Sequence, residues 1–405
     1  MSASLQAPGT EEGIAAAVAA AHEAGEPLLV EGRGTKRGML RPVQAARTLS
    51  TRNLSGVTLH APQELILSAL AGTPVAEVEA KLAEAGQQLI AEPPDLSGLL
   101  GPEEGAQATL GGVVAANLSG PRRVAWGAMR DHVMGVRFVN GTGEVLRSGG
   151  RVLKNVTGLD LCKLLAGSHG TLGVLTEVTV KVLPAAERVG TLAFAGLDAR
   201  QGVAVLSAAL GSPFGVSGAA WLPPEAAARA PELDGSLAGA PGGVALVRIE
   251  DFAPSVAYRL GKLRDLLGGA ALDDAASRAL WRRVRDAEVL PAAPGDAVWR
   301  VSVRPSAGPA VAATTEAAGA RLFLDWGGGL AWIAGPATAA AHAAIRAAAQ
   351  AHGGTWTVMR GPDSLRASLD VVPPEAAALA AITRRVKGAL DPAGILNPGR
   401  LYAGL

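Results

Sequence analysis

Cysteine is almost absent from this chain of 405 residues, in which Cys162 is the only one. A single thiol excludes an internal disulfide framework and a cluster of thiolate metal ligands within the chain, and it favours a reducing compartment. Aromatic residues make up only 3% of the sequence, so we expect many helices to pack through alanine. The first residues carry neither a basic region nor a long apolar run, and we therefore expect no signal peptide.

An excess of charge of either sign is missing as well. The 37 basic and 36 acidic residues give a formal net charge of +1, and no basic block stands out. Nucleic acid is therefore not expected as a partner. Residues 326–345 contain no Asp, Glu, Lys or Arg, but their glycines and Pro336 predict a strand followed by a helix rather than a membrane span.

Short strands and helices alternate in the first part of the chain. A buried strand is predicted at 26–32, and further strands are predicted at 56–62 and 65–72. Thr73 as N-cap and Pro74 as the first helical residue predict that a helix follows.

A long strand is predicted at the end of this part. Valines and one threonine from Val174 to Val182 alternate with polar residues, and Pro184 follows them. We therefore place a domain boundary after residue 185.

The second part has an α+β pattern, with strands predicted at 242–252 and 297–305 and helices near 254–267, 272–287 and 336–351. Six of the seven tryptophans lie in it, and we expect most of them in the core and one or two at a substrate or partner surface. A last helix is predicted from Pro374. Its apolar residues are expected to face inwards; they are Leu379, Ile382, Val386 and Leu390.

Three glycine-rich segments, 31–38, 108–136 and 167–174, distinguish the first part. The first follows a strand, but the helix of a Rossmann dinucleotide site does not come next, and no P-loop pattern is present. It is either an anion-binding turn with basic side chains beside it or an ordinary charged turn. Taken singly, the second favours a helix packed on a sheet and the third a tight turn.

The six histidines do not form a group with metal-ligand spacing. His342 and His352 lie on an alanine-rich helix and at its end, and we expect them at the surface. No Ser/His/Asp arrangement and no carboxylate pair identifies an acid or a base. The sequence therefore predicts no metal site, and its catalytic residues stay unknown.

The order and spacing of the three glycine-rich segments resemble the FAD-binding domain of the vanillyl-alcohol oxidase family, the type also found in p-cresol methylhydroxylase. The runs LKNVTGLDL at 153–161, GSHGTLGVLTEV at 167–178 and NPGRLYA at 397–403 are similar to the FAD-binding subunits of bacterial glycolate oxidase, also called glycolate dehydrogenase. The resemblance covers about residues 1–185 and 388–402.

This resemblance implies an α+β fold in three parts. Residues 1–185 would form a two-part FAD-binding domain of the p-cresol methylhydroxylase type. Residues 186–370 would form an α+β cap domain with an antiparallel sheet and flanking helices. Residues 371–405 would be a C-terminal helix and tail that return to the flavin domain. The cofactor implied is FAD, and it is expected to be non-covalent because the first loop contains no histidine.

The resemblance also implies which residues contact FAD. In this family the first loop cradles the pyrophosphate, which here means Arg33, Gly34, Thr35, Lys36 and Arg37. The second segment lines the flavin, which here means Thr109, Gly111 and Gly112, with Asn117 and Gly120 close by. The third segment supplies Gly167, Ser168, Gly170, Gly173 and Val174, and the tail supplies Asn397 and Arg400.

The function implied is the oxidation of glycolate to glyoxylate by a multi-subunit dehydrogenase. Its partners would be a paralogous flavin subunit and an iron–sulfur subunit that passes electrons to quinone, since one cysteine cannot hold a cluster. Related catalytic subunits carry a histidine-rich metal cluster that this chain lacks, so this chain would relay electrons or support assembly. We expect a cytoplasmic protein that meets the inner membrane only through its partners.

Two alternatives stay open at this point. One is a free-standing FAD-dependent oxidase or dehydrogenase of another 2-hydroxy acid or an alcohol. The other is a structural subunit whose flavin site has decayed.

Overall fold

The computed structural model describes residues 4–100, 107–150 and 159–405. Their contacts divide the chain into two compact units. The first comprises the described residues of Met1–Leu118, Ala128–Ala185 and Pro374–Leu405, and the second comprises Ser119–Gly127 and Ala186–Pro373. Both units combine helices with sheets, which confirms the predicted α+β class.

Two sheets form the framework of the first unit. The smaller one is parallel and has the order β1-β3-β2; its strands are β1 Ser4–Gln6, β2 Leu28–Glu31 and β3 Arg47–Ser50. The larger one is antiparallel and has the order β4-β5-β9-β7-β8, with β6 beside β9. Its strands are β4 Val57–Ala61, β5 Ile66–Leu70, β6 Gln87–Leu89, β7 Val133–Val139, β8 Val145–Gly149 and β9 Val174–Pro184.

The α-helices of this unit among the described residues are Glu11–Ala24, Val75–Ala83, Ser97–Leu100, Leu110–Ala115, Leu161–Leu165 and Ala377–Leu390. Short 3-10 turns lie at Pro62–Glu64 and Met129–His132. The first helix is capped at its start by the hydroxyl of Thr10, which accepts a hydrogen bond from Gly13 N. Its buried face packs with the smaller sheet through Ile14, Val18 and Leu28.

The alternation predicted for the long strand is confirmed in β9. Val178, Val180 and Val182 are fully buried, whereas Glu177 and Lys181 are half-buried on the other face. The strand also includes Pro184 as its last residue. Because β9 pairs with β5, β6 and β7, it forms the centre of the larger sheet.

The predicted start of the helix after β5 is wrong by one residue. The helix begins at Val75, and Pro74 occupies the N-cap. The hydroxyl of Thr73 donates to Leu70 O at 2.6 Å and accepts from Gly56 N at 2.9 Å. Its hydrogen bonds therefore close the preceding turn and do not cap the helix.

The predicted inner face of the last helix is only partly correct, because Val386 is half-buried and Leu390 packs against the core of the first unit, whereas the other two predicted residues are exposed. The helix begins at Ala377, and Leu379 and Ile382 are 52% and 55% exposed. Its one buried residue is Lys387, whose Nζ donates to Thr171 O at 2.7 Å and to Leu396 O at 2.9 Å. The side of the helix that faces the unit therefore combines these polar contacts of Lys387 with the apolar contact of Leu390.

The second unit contains an eight-stranded antiparallel sheet of order β13-β10-β12-β11-β15-β16-β14-β17. Its strands are β10 Arg188–Leu197, β11 Gly218–Leu222, β12 Gly243–Asp251, β13 Ala270–Leu272, β14 Ala297–Ser302, β15 Arg321–Asp325, β16 Leu330–Gly335 and β17 Thr355–Arg360. Its α-helices are Arg123–Trp126, Ala199–Leu210, Pro224–Ala227, Gly235–Ala238, Ala253–Leu267, Asp274–Arg285, Gly308–Ala317, Ala339–Ala351 and Asp363–Ser368. The 3-10 turns are Pro305–Ala307 and Trp326–Gly328.

The uncharged stretch 326–345 forms β16 and the start of the helix Ala339–Ala351, as predicted. This helix begins three residues after Pro336, with Thr338 as its N-cap. None of the helices in the described ranges has the length and apolar character that would let it cross a membrane.

Most tryptophans of the second unit belong to its core, as expected. Trp299 is fully buried in β14, and its indole Nε1 donates to Nδ1 of His342 at 3.2 Å. His342 is only 2% exposed, so its expected place at the surface is wrong. His342 lies on the buried side of the alanine-rich helix Ala339–Ala351, where the small neighbouring side chains leave room for its imidazole.

We predict that His342 makes the protein less stable at mildly acidic pH. Burial, followed by the charge of Arg346, lowers the pKa of His342 below its usual 6.5, because the folded state disfavours the imidazolium. The unfolded chain then binds more protons below pH 6.5, so the free energy of unfolding falls as pH falls from 7 to 5, by at most about 1.4 kcal/mol per pH unit.

Urea unfolding at pH 7 and pH 5 measures this effect. His342→Gln is expected to reduce the difference between the two pH values. His352→Gln, at the half-buried end of the same helix, should leave the difference unchanged. Equal pH dependence in all three proteins would contradict the assignment.

Candidate functional site

A cavity lies within the first unit, at the end of β2. Its wall is built from the loop after β2, the start of the helix Leu110–Ala115, the turn before β9 and the C-terminal tail. The structure brings thirteen of the seventeen residues predicted to contact FAD to this wall. They are Arg33, Gly34, Thr35, Lys36, Arg37, Thr109, Gly111, Gly112, Gly170, Gly173, Val174, Asn397 and Arg400.

The other four predicted residues do not line the cavity. Gly167 N donates to Val114 O, and the backbone O of Ser168 accepts from Thr171, so this part of the turn lies behind the wall. Asn117 uses its side-chain oxygen to accept from Arg130 N at 3.0 Å. Gly120 belongs to the second unit, where its carbonyl accepts from Trp326 Nε1 at 3.0 Å.

The loop after β2 supplies most of the positive charge. Glu31 holds Arg37 through two hydrogen bonds of 2.5 and 2.6 Å, which neutralises that guanidinium and fixes the turn. Arg33 has a buried Nε without a hydrogen-bond partner in the described chain. The backbone N–H groups of residues 33–36 also lack an acceptor within the described ranges. Such a set of donors beside a cavity is suited to an anion.

Lys36 is the second cation of this loop at the wall. Burial lowers its pKa to about 8, although the charge of Asp95 acts in the opposite direction. Its Nζ lies 3.3 Å from the hydroxyl of Thr35. An anion placed beside this ammonium group would restore the stability of its charged form.

The second segment is held to the turn after β5 by backbone hydrogen bonds. Leu110 N donates to Thr73 O, and Gly111 N donates to Ala71 O, both at 2.9 Å. This approach is so close that a Cβ on Gly111 would lie 2.6 Å from Cβ of Ala71. Gly111 is therefore required by contact with protein, whereas a Cβ on Gly112 would lie 3.6 Å from Nζ of Lys36.

The third segment presents backbone and an imidazole to the cavity. His169 has a φ of +52° and donates its N–H to Ala115 O at 2.8 Å, so the turn is fixed on the end of the second-segment helix. Burial lowers the pKa of His169 to about 3, with further lowering by the cations Arg400 and Lys36. A Cβ on Gly173 would lie 2.6 Å from Phe138, so this glycine too is needed for packing.

The tail residues fasten the wall together. Asn397 accepts from Val30 N at 2.8 Å, and its amide donates to Val30 O and to His169 O. Arg400 donates to Lys36 O at 2.7 Å and to Arg41 O at 2.9 Å. Both side chains line the cavity, but these hydrogen bonds position the first and third segments.

Sequence reasoning missed several apolar residues of the wall. The lining also includes Leu29, Val30, Ala71, Ala115, Ala116 and Leu175. Helical spacing would have found two of them, because Ala115 and Ala116 come four residues after Gly111 and Gly112. Part of the run LKNVTGLDL, residues 153–158, lies outside the described residues.

Known proteins are similar to this chain along almost its whole length. A family model described as an FAD binding domain matches residues 3–149. The glycolate oxidase subunit GlcE of Escherichia coli (strain K12) is 34% identical over 381 residues, which are 94% of this chain and 93% of that protein. The chain belongs to the GlcE family. It is a flavoprotein of the FAD-linked oxidoreductases, and the predicted family and the FAD cofactor are confirmed.

Two more comparisons extend this result. The glycolate oxidase subunit GlcD of Bacillus subtilis (strain 168) is 43% identical over 84 residues, 21% of this chain and 18% of that protein. The structure of p-cresol methylhydroxylase with substrate bound has a TM-score of 0.74 and 14% identity, and the match covers 99% of this chain and 88% of that one. The fold of this GlcE-family chain is therefore of the p-cresol methylhydroxylase type, as predicted.

Proposed function

We propose that this GlcE-family chain is the FAD-binding subunit of a multi-subunit dehydrogenase that oxidises glycolate to glyoxylate. The observation that carries the proposal is the cavity wall with a buried, unpartnered Arg33 Nε, in a chain that is similar to a glycolate oxidase subunit over 94% of its length. When bound, FAD supplies the two-electron acceptor for this reaction.

The residues of the cavity fit FAD in two respects. Arg33, Lys36 and the backbone N–H groups of residues 33–36 would hold the pyrophosphate, since they combine positive charge with donors that lack acceptors. The apolar residues Ala71, Ala115 and Val174 also line the cavity and would offer apolar contacts to a ring. No residue of the first loop is a histidine, which supports non-covalent binding.

The electron path is proposed to continue through a partner. Cys162, the chain's one cysteine, is buried, and its Sγ lies 3.4 Å from Ser148 O, so this chain offers no set of thiolates for a cluster. Within the described ranges no three His, Cys, Asp or Glu side chains are grouped as metal ligands. We therefore assign electron relay or support of assembly to this chain, beside a paralogous flavin subunit and an iron–sulfur subunit. The assembly would be cytoplasmic and reach the inner membrane through its partners.

Co-expression with the two proposed partner subunits tests this function. The purified complex should contain FAD on this chain, and glycolate should bleach it. Arg33→Met in this chain should lower its FAD content, while Arg384→Met, on the exposed side of the last helix, should not. Flavin reduction by glycolate in this chain alone would favour a free-standing oxidase. A chain that stays colourless with added FAD would favour a decayed site.

We predict that FAD affinity falls as pH rises through the pKa of Lys36. The ammonium group loses its proton near pH 8 in the FAD-free protein, and a bound pyrophosphate would raise that pKa. FAD binding is then coupled to proton uptake, and affinity drops by at most about tenfold per pH unit above pH 8.

Titration of FAD-free protein between pH 7 and 9.5, followed by flavin fluorescence, measures this dependence. Lys36→Arg keeps its charge over the whole range and should give a flat profile. Lys181→Arg, on β9, should retain the wild-type profile. A profile for Lys36→Arg that matches wild type would contradict the role of Lys36.

A further inference from the structure

Arg300 of the second unit lies among groups that the proposed function does not use. It stands on β14, between Trp332 of β16 and Thr357 of β17. Its guanidinium carbon is 4.8 Å from the ring centre of Trp326 and 5.6 Å from that of Trp332. Its Nε and Nη2 are both buried and have no hydrogen-bond partner within the part of the chain that the structure describes.

These two nitrogens are the pair that this protein uses elsewhere to hold carboxylates. In each of the following ion pairs, Nε and Nη2 of one arginine donate to the two oxygens of one carboxylate: Arg37–Glu31, Arg122–Glu250, Arg137–Glu11 and Arg285–Asp286. The planar fork matches the two oxygens of a carboxylate. In Arg300 the same fork is buried, and no carboxylate of the described chain accepts from it.

The neighbouring groups add to the positive character of this place. Arg123 lies with its guanidinium carbon 4.7 Å from the same Trp326 ring, so one indole contacts two cations. Burial and then the charge of Arg123 lower the pKa of Arg300 to about 10, and Asp325 opposes them without forming an ion pair with Arg300. A buried cation with unmet donors is costly, and an anion would relieve the cost.

The backbone at Trp326 is held in an unusual conformation that keeps the ring in place. Its φ is +54°, which is a strained value for a large residue. The backbone N–H donates to Asp325 Oδ1 at 2.7 Å, and the indole Nε1 donates to Gly120 O at 3.0 Å. Hydrogen bonds thus hold both the backbone and the indole of Trp326 in place beside the guanidinium of Arg300.

We propose that Arg300, with Arg123 and the indole of Trp326, forms a binding site for a short organic carboxylate in the second unit. The fork of Arg300 takes both carboxylate oxygens, and Arg123 contributes a second positive charge. That glycolate or glyoxylate is the carboxylate rests on the proposed function. Binding of either by this chain would give it a direct part in handling the acid, in addition to electron relay.

Calorimetry of the full-length, FAD-loaded protein tests the site without turnover. Glycolate is expected to bind in a 1:1 ratio and to raise the melting temperature. Sodium sulfate at equal ionic strength should bind at least tenfold more weakly, since four carboxylate pairs define the preference of the fork. Glyoxylate, titrated separately, shows whether the site prefers the substrate or the product.

Three variants separate recognition from folding. Arg300→Gln should weaken glycolate binding at least tenfold, and Arg300→Lys should bind with an intermediate affinity because an ammonium cannot form the fork. Arg282→Gln, at an exposed position of the same unit, should match wild type. The melting temperature of Arg300→Gln without glycolate should be no lower than that of wild type, because a buried unpaired cation is removed.

Several results would overturn the site. They are equal glycolate affinity in wild type and Arg300→Gln, equally tight binding of sulfate, and no response of the wild-type protein to either acid. If the wild-type protein instead fails to bind FAD or to relay electrons in the complex, the proposed function is refuted. The two failures are distinguishable, because carboxylate binding is measured without flavin reduction.

Discussion

Asp391→Ala is expected to destabilise the protein by about 3–5 kcal/mol, the cost of leaving one partner of a buried ion pair unpaired. The carboxylate of Asp391 is fully buried, and Nζ of Lys387 donates to its Oδ2 at 2.5 Å. The same carboxylate accepts from Ile395 N at 3.1 Å and from Leu396 N at 2.8 Å. Its removal therefore leaves a buried ammonium and two backbone donors without their partner.

The effect should reach the cofactor cavity through the chain. Leu396 pairs with Leu28 of β2, and the next residue, Asn397, joins β2 to the turn at His169. Loosening of residues 391–397 would break these hydrogen bonds of Asn397 with β2 and with the turn at His169. We therefore expect the FAD content of Asp391→Ala to fall together with its stability.

Urea unfolding and the flavin absorbance of the purified protein measure the two effects. Glu84→Ala provides the control, because Glu84 pairs with Lys81 in an exposed position where such a pair contributes at most about 0.5 kcal/mol. The double variant Lys387→Met with Asp391→Asn should be more stable than Asp391→Ala, since it removes the unpaired charge. If Asp391→Ala lowers the free energy of unfolding by less than about 1 kcal/mol, the stabilising role assigned to the Lys387–Asp391 pair is refuted.

Local sequence patterns predicted some elements of the structure, but they did not predict contacts between residues that are distant in sequence. The period of two in β9 and the strand before the first loop depend on local patterns, and both were predictable. The orientation of the last helix depends on contacts of Lys387 with Thr171, 216 residues away in sequence, which no local pattern contains. His342 was misplaced for the same reason, since its partner Trp299 lies 43 residues away on a strand.

The residues of the cavity wall were also predicted only in part. The resemblance brought together residues from four distant segments, and thirteen of them line one wall. The resemblance implied that glycines of the second and third segments contact FAD. At Gly111 and Gly173 the close neighbour is protein instead, namely Ala71 and Phe138. Which neighbour requires a glycine depends on the packing of segments that are distant in sequence.

Substitutions of two adjacent glycines distinguish a glycine that is required by contact with protein from one that is required by contact with the cofactor. Helix propensity alone predicts that Gly→Ala stabilises a helix by about 1 kcal/mol, and Gly111 and Gly112 lie in the same helix. At Gly111, however, the new methyl would lie 2.6 Å from Ala71 Cβ and 2.9 Å from its backbone oxygen. Overpacking of this kind costs 1–3 kcal/mol, and we expect a net loss of about 2 kcal/mol because backbone cannot move aside easily.

At Gly112 the balance is different. The new methyl would lie 3.0 Å from the Thr109 hydroxyl and 3.6 Å from Nζ of Lys36, both side-chain atoms. A small shift relieves these contacts, so we expect stability within about 0.5 kcal/mol of wild type. The methyl nevertheless stands beside the ammonium group that we assign to the pyrophosphate. FAD affinity should therefore fall although the fold is intact.

Unfolding and FAD titration of the two variants decide between the causes, and a third variant isolates the clash. Ala71→Gly removes the methyl group that Gly111→Ala would meet but leaves the backbone oxygen of residue 71, so the double variant should recover part of the stability that Gly111→Ala loses. If Gly111→Ala proves as stable as Gly112→Ala, the close approach to Ala71 does not constrain residue 111. Stability lost at 111 and affinity lost at 112 would show that one glycine serves the fold and its neighbour serves the cofactor.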